Sequence, residues 1–442
     1  MVRSTMTDDL DNYYKNYDYG ARTPVYINQE DLTEQQTQRL MYSDNFCILP
    51  WIHMHAFPTG EAYPCCLSVM DKPIGNLKNQ TMKEVWNDQP LKQMRSNMLQ
   101  DKPCAECTKC YEQEQNGFFS MRNAQNKNMG HHISLVDETE SDGHFERFEL
   151  KYYDIRFSNL CNLSCRTCGD IFSSNWVKEA KKYGWLKPDH PNISYAGRYE
   201  MDMWEQLEPH IEHVENVYFA GGEPLMMKEH YNLLNELIDR GRTDVRLTYN
   251  TNFTELVFKK QDVLELWNKF ECVSVGASLD ASYQRGELMR KGTDWAKVVE
   301  NRKRMLEVCP TVDFYISATL SVMNAYNILD FHKEWVELGL IRAQDFNVNI
   351  LQDPQRFRID ILPKDMKQEV IDLYNKHIEW LEPQDPLSRA TQGFKSAVNY
   401  MKNTDNSNLV PEFVKRTDEM DRFRNEGFFA VFPELEKLRN YV

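Results

Sequence analysis

Hydrophobic positions divide the chain into three regimes. From residue 150 onward, short apolar runs recur near 152–157, 214–220, 245–249, 272–279, 312–320 and 346–351, with longer stretches of helical period between them. One such stretch places Leu233, Leu234, Leu237 and Ile238 on one face and stops at Gly241; another runs from Ser173 to Tyr183. Regular alternation of strand and helix predicts a parallel sheet, because parallel neighbours need a crossover long enough to hold a helix. After about 360 the pattern is helical, with Val370, Leu373, Tyr374 and Ile378, then Phe394, Val398 and Met401, broken by a polar loop at 403–408. Before 150 no long period holds. Residues 1–40 are polar, acidic and rich in tyrosine and read as a loosely ordered arm. Residues 41–126 hold short runs around Pro58-Thr59-Gly60, a hairpin signal, then a turn at Gly75-Asn76 and a helical stretch through Met82, Val85, Trp86, Leu91, Met94 and Met98. Residues 127–149 are polar, with His131-His132 and acids from Asp137 to Asp142, and read as a linker or exposed hairpin; the histidine pair reads as solvated surface, with a metal role as the alternative. The expected divisions are therefore 1–40, 41–126, 127–149, a core at 150–360 and a helical extension at 361–442.

Ligands of parallel α/β sheets bind beyond the C-terminal ends of the strands. Those ends are the polar part of the core. The first expected strand runs into Cys161-Asn162-Leu163-Ser164-Cys165-Arg166-Thr167-Cys168. The second ends in Gly221-Gly222-Glu223-Pro224, the third in Asn250-Thr251-Asn252 and the fourth in Ser278-Leu279-Asp280. The last two run out through Thr319, Ser321 and Asn324, and through Asn349, Gln352 and Asp353. One pocket should form there. Three cysteines within eight residues can converge on one metal centre, but a closed zinc site or an ordinary cubane takes four protein ligands. Three thiolates on a [4Fe–4S] cluster leave one iron for a small molecule.

Composition narrows the partners. A formal net charge of -15 argues against a broad grip on nucleic acid or anionic membrane. No apolar segment is long enough to span a bilayer, and MVRSTMTDDLDNYYKNYDYG lacks the apolar core of a secretory signal, so a cytoplasmic location is expected. Eleven cysteines then suggest metal ligation in a reducing compartment rather than disulfides. Nine fall in two groups, at 47, 65, 66, 104, 107 and 110 and at 161, 165 and 168; Cys272 and Cys309 read as core residues.

CxxxCxxC directly after a strand resembles the signature of the radical S-adenosylmethionine (SAM) enzymes. The later strand ends extend that resemblance, and GGEP some fifty residues on looks like the loop that meets SAM's methionyl amine. The resemblance implies a partial (β/α)6 TIM-type barrel. It also implies a [4Fe–4S] cluster on Cys161, Cys165 and Cys168 whose open iron chelates exchangeable SAM. Gly221, Gly222, Glu223, Pro224, Thr251, Asn252, Ser278 and Asp280 would face SAM, with Glu223 balancing the sulfonium and Arg290 reaching the carboxylate.

In the first cysteine group, spacing alone leaves a zinc ribbon and an iron–sulfur site equally open. CxxPW from Cys47, G-x4-CC from Gly60, then Cys107-x2-Cys110 followed by Tyr111, Glu114, Gly117, Ser120 and Arg122 look like a Twitch/SPASM-type module, here ahead of the core rather than after it. Such modules hold auxiliary [4Fe–4S] clusters, and six cysteines are too few for two. The resemblance implies Cys47, Cys107 and Cys110 as ligands. Either Cys65 or Cys66 is the fourth, since adjacent strand side chains point to opposite faces, and the G-x4-C spacing from Gly60 in the resemblance selects Cys65; Cys66 and Cys104 are alternates.

The whole reads as an α/β protein with a small N-terminal cysteine-rich α+β module and a C-terminal helical extension. The resemblance implies reductive cleavage of SAM to a 5′-deoxyadenosyl radical that abstracts hydrogen from a substrate, and the electron would come from a low-potential flavodoxin- or ferredoxin-like donor. A peptide or protein is the leading substrate class. A carbohydrate or cofactor precursor is the alternative, and a non-catalytic iron–sulfur or zinc protein for electron transfer or scaffolding is the reading from another class. No catalytic side chain is assigned.

Overall fold

The computed structural model describes residues 31–115 and 119–442; Gly117 of the cysteine-rich module and most of the expected arm lie outside them. Nine strands form one sheet: β1 (His53–Ala56), β2 (Glu61–Tyr63), β3 (Gly75–Asn76), β4 (Tyr152–Ile155), β5 (Asn216–Phe219), β6 (Arg246–Thr251), β7 (Val273–Ala277), β8 (Asp313–Leu320) and β9 (Phe346–Ile350). Their spatial order is β9-β8-β7-β6-β5-β4-β1-β2-β3. The last six strands in sequence lie in chain order and pair in parallel, as the strand–helix alternation predicts. Among the described residues no strand joins β9 to the other edge of the sheet, so the barrel is partial; the helix Arg389–Asn403 packs on β9, its Gly393 against Val348.

The N-terminal module is built into this sheet. β1 pairs in parallel with β4, His55 beside Asp154, and turns back into β2 through the expected hairpin, with Gly60 at φ +101°. That left-handed backbone is open to glycine at little cost. The stretch 127–149, polar in sequence, also packs closely. Residues Gly130–Glu138 form 3-10 turns that bury Ile133, Leu135 and Val136, and Phe145 and Phe148 lie against Trp86. Farther back, Glu34–Thr37 is helical behind a Thr33 cap, and Gln36 and Arg39 both bond Asp137.

Parallel strands buried on both faces read as continuous apolar runs. Here they alternate. Val217, Phe219, Leu247, Tyr249, Val275, Phe314 and Ile316 are buried in the core. The other face is polar, and the register sets His53, Tyr152, Asn216 and Arg246 in one row and Tyr218, Thr248, Ser274 and Asp313 in a second. This polar face lines a cavity of ≈ 410 Å³, covered by residues of the helix Met121–Met129 and by Cys66. Three further helices close the chain at Lys364–Leu381, Arg389–Asn403 and Val410–Arg424.

Candidate active site

The cysteine loop follows β4 and is braced from every side by backbone. Glu223 donates its N–H to the Leu160 carbonyl (2.7 Å), and Gly222 donates to that of Ser158 (3.3 Å). A Cβ on Gly222 would lie 2.2 Å from the Leu160 oxygen, so the close approach needs a residue without one. Ser164–Cys165 pairs antiparallel with Arg290–Lys291, and the Arg166 N–H donates to the Met289 carbonyl. Behind the loop, Ser173 caps the helix Ser174–Lys182 and donates its hydroxyl to the Leu163 carbonyl (2.6 Å).

Cys161, Cys165 and Cys168 sit together in this loop. Burial pushes all three thiols up, Cys168 to about 12; Cys165 raises both of its neighbours further, and Cys168 adds to the rise at Cys161. Desolvated thiols so close gain most by giving up their protons to a cation, which is how a metal cluster would be held. Arg290 is the nearest fixed cation, with Nη1 4.0 Å from the Cys165 sulfur. It is partly buried and held in a two-pronged ion pair with buried Asp280 (2.8 and 3.1 Å). Asp280 also accepts the Thr319 N–H (2.8 Å).

Glu223 is buried, and its carboxylate accepts from the Thr251 hydroxyl (2.7 Å), the Asn252 N–H (2.7 Å) and the Leu225 N–H (3.1 Å). Burial raises its pKa to about 7 against those bonds and the field of Arg290. It ties the second strand end to the third. Asn252 carries the tie onward, its side-chain amide donating to the Asn162 side-chain Oδ1 (2.8 Å) and lying 4.0 Å from the Cys161 sulfur. Pro224 opens a 3-10 turn, Gly221 takes φ +122° beside Arg156, and Ser278 keeps a partly exposed side chain. All the residues read as facing SAM therefore border the cysteine loop or the strand ends next to it, several of them engaged with one another.

The structure adds a group with no local signal in sequence. Arg424 forms a two-pronged pair with Glu179 (2.9 and 2.6 Å) and donates to the Ser164 carbonyl (2.8 Å). Buried Arg166 pairs with Asp421 and Glu426. The C-terminal helix thus clamps the cysteine loop through partners some 250 residues away. On the polar face of the sheet, Asp154 is paired with His55 (2.9 Å) and Arg156 (3.0 Å), and Asn250 donates to the Tyr218 hydroxyl (2.6 Å). Alternation within the strands was the signal for these residues.

A second thiol site lies in the N-terminal module. Cys47, Cys65, Cys107 and Cys110 line one pocket with Leu49, Leu67, Glu106, Met121 and Arg122. Arg122 is fixed beside them by Glu114 and by the carbonyls of Ser43 and Phe46. Four convergent thiols suit either a cubane or zinc. Cys66 instead lines the ≈ 410 Å³ cavity beside Tyr152; the two thiols lie in the turn that follows β2 rather than on a strand, so it is the turn, not strand alternation, that parts them. Cys104 is buried next to Cys107 with its sulfur 3.8 Å from the Met94 carbonyl, and it does not line the four-thiol pocket.

Residues 155–319 match the family model described as the radical SAM superfamily, and residues 47–111 match that of SPASM, an iron–sulfur cluster-binding domain. Residues 155–319 thus form a radical SAM domain, with a SPASM-type module ahead of it. The radical SAM domain implies a [4Fe–4S] cluster used with SAM, and the SPASM module implies auxiliary iron–sulfur binding. No curated protein matches the chain. Among solved structures it is similar to native anSMEcpe with bound AdoMet and Cp18Cys peptide (18% identity, TM-score 0.36, 53% of this chain and 61% of that one). It is also similar to Streptococcus suis SuiB bound to S-adenosylmethionine (16%, 0.36, 65% and 63%) and to TYW1 with a lysine-pyruvate adduct (16%, 0.27, 53% and 72%). The chain spans about three fifths of the first two. Among the described residues no helix is long and apolar enough to cross a membrane.

Proposed function

We propose that the chain is a radical SAM enzyme acting on a peptide or protein. The observation that carries this reading is the single constellation at the strand ends: three partly buried thiols in one loop, buttressed by Gly222 and Glu223 and faced by Arg290. Cys161, Cys165 and Cys168 would hold the core cluster, and Cys47, Cys65, Cys107 and Cys110 the auxiliary one. Bound there, the core cluster and SAM supply a 5′-deoxyadenosyl radical able to abstract hydrogen from an unactivated carbon.

The chain's own residues do the rest. Glu223, tied to Thr251 and Asn252, fixes the loop at which SAM's amine would be met. Arg290, locked by Asp280, sets a positive charge against the thiolates and steadies an electron-rich centre. The polar cavity lies between the strands and the cluster module, so a substrate side chain inserted there would be shielded from bulk water. Its size suits one or two side chains. A first test is binding. Reconstituted protein should retain about one SAM per chain in equilibrium dialysis, and the variant with all three core cysteines changed to alanine should retain none. Equal retention by both would remove the assigned site.

A further inference from the structure

His131, His132 and Glu215 meet away from both thiol sites. His131 Nε2 lies 2.9 Å from one oxygen of Glu215 and His132 Nε2 lies 2.8 Å from the other. One ligand atom from each falls within 4.8 Å of the others, and all three side chains are partly buried. The imidazole rings are 4.0 Å apart. As an ion pair, one carboxylate would face two imidazolium rings at a spacing where the rings repel each other; as hydrogen bonds, each ring would donate Nε2–H to its own oxygen of Glu215. The same three groups also present two imidazole nitrogens and a carboxylate to a single divalent ion.

The ligands come from two pieces of backbone, each separately fixed. Glu215 donates its N–H to the Lys151 carbonyl (2.8 Å) and its own carbonyl accepts the Arg246 N–H (2.9 Å), at the foot of β5. The histidines sit on the 3-10 turns whose Ile133, Leu135 and Val136 are buried. Three protein ligands leave coordination positions open. They open toward the ≈ 410 Å³ cavity, since His131 and Glu215 both line it, alongside Asn216 and Arg246.

We propose that His131, His132 and Glu215 form a mononuclear site for a first-row divalent cation whose open position takes an oxygen of the molecule held in the cavity. Two imidazoles and one carboxylate suit Zn²⁺ or Fe²⁺ over Mg²⁺ or Ca²⁺, which favour all-oxygen ligands. The site stands independently of SAM cleavage, so failure of either claim leaves the other intact. The test uses anaerobically reconstituted protein with its iron in place, equilibrated with Zn²⁺ and freed of loose metal by gel filtration. Wild type should hold one more zinc per chain than the His131→Ala/His132→Ala variant. Glu215→Gln should weaken retention at least tenfold, with iron content unchanged. X-ray absorption of the wild-type zinc should show a nitrogen and oxygen shell near about 2.0–2.1 Å, where zinc lodged on thiolates would show sulfur near about 2.3 Å. Equal zinc in wild type and double variant, or a sulfur shell alone, would overturn the site and leave the three groups as an ion-pair cluster.

Discussion

Single atoms decide several features of the core site. A methyl group on Gly222 would occupy the space of the Leu160 carbonyl oxygen at 2.2 Å, and a backbone atom cannot swing aside as a flexible side chain can. Gly222→Ala should therefore displace the cysteine loop and lower iron content by the core cluster's share while the auxiliary share stays, as read by iron analysis and EPR. Full iron retention would mean that the loop tolerates the shift. Glu223→Gln keeps the shape but turns an NH2 group toward N–H and O–H donors that now meet oxygen. Leaving such buried donors unmet costs about 1–3 kcal/mol, so both SAM affinity and thermal stability should fall with cluster content unchanged. In the N-terminal module the adjacent thiols face different spaces. Cys65→Ala should lose the auxiliary cluster and Cys66→Ala should keep it, by iron content in a background without the core cysteines; the reverse result would move the site by one residue.

At the scale of elements, the C-terminal helix Val410–Arg424 acts as a clamp rather than a cover. Arg424→Ala would leave the largely buried Glu179 with only Lys291 at 3.8 Å and release the Ser164 carbonyl. Removing one partner of a buried pair costs about 3 kcal/mol, and a denaturation curve that moves by much less would make the helix a passive neighbour. Helix packing also carries a pH dependence. His332 donates Nε2–H to the Ala343 carbonyl (2.8 Å), so its Nδ1 must accept from His377 Nε2–H (3.0 Å), and both rings are neutral. Burial lowers His332 to about 4 and His377 to about 3. Unfolded histidine takes its proton near pH 6.5, so below that value the unfolded state binds more protons and stability falls. The contribution is whole above about pH 6.5 and is lost as pH drops toward 4. His377→Asn should flatten that part of the stability curve; an unchanged slope would place the acid sensitivity elsewhere, as at buried His53 and His230. These elements were the legible part of the sequence. All six core strands stand where alternation put them, because each helix buries one apolar stripe on one face of the sheet. The clamp was not legible, since Arg166 meets Asp421 and Glu426 across some 250 residues with no period to announce it. Nor was the packing of 127–149, where a few buried apolar residues anchor a polar stretch.

Across the whole molecule the cluster-binding module and the core share one sheet through the parallel pairing of β1 with β4. That pairing sets the four-thiol pocket, the polar cavity and the three-thiol loop along one framework, with the cavity walled in part by each unit. Spacing and resemblance supplied the ligand candidates; the depth and polarity of the space between them came only from the structure. The central claim is that the loop of Cys161, Cys165 and Cys168 supports reductive cleavage of SAM. The direct measurement is 5′-deoxyadenosine released from SAM by the anaerobically reconstituted protein with dithionite, followed by chromatography and mass spectrometry. Wild type should form it, and the variant with alanine at all three positions should form none while keeping its auxiliary iron. Wild-type protein with full iron at both sites that yields no 5′-deoxyadenosine, or a triple variant that yields as much as wild type, would contradict the claim.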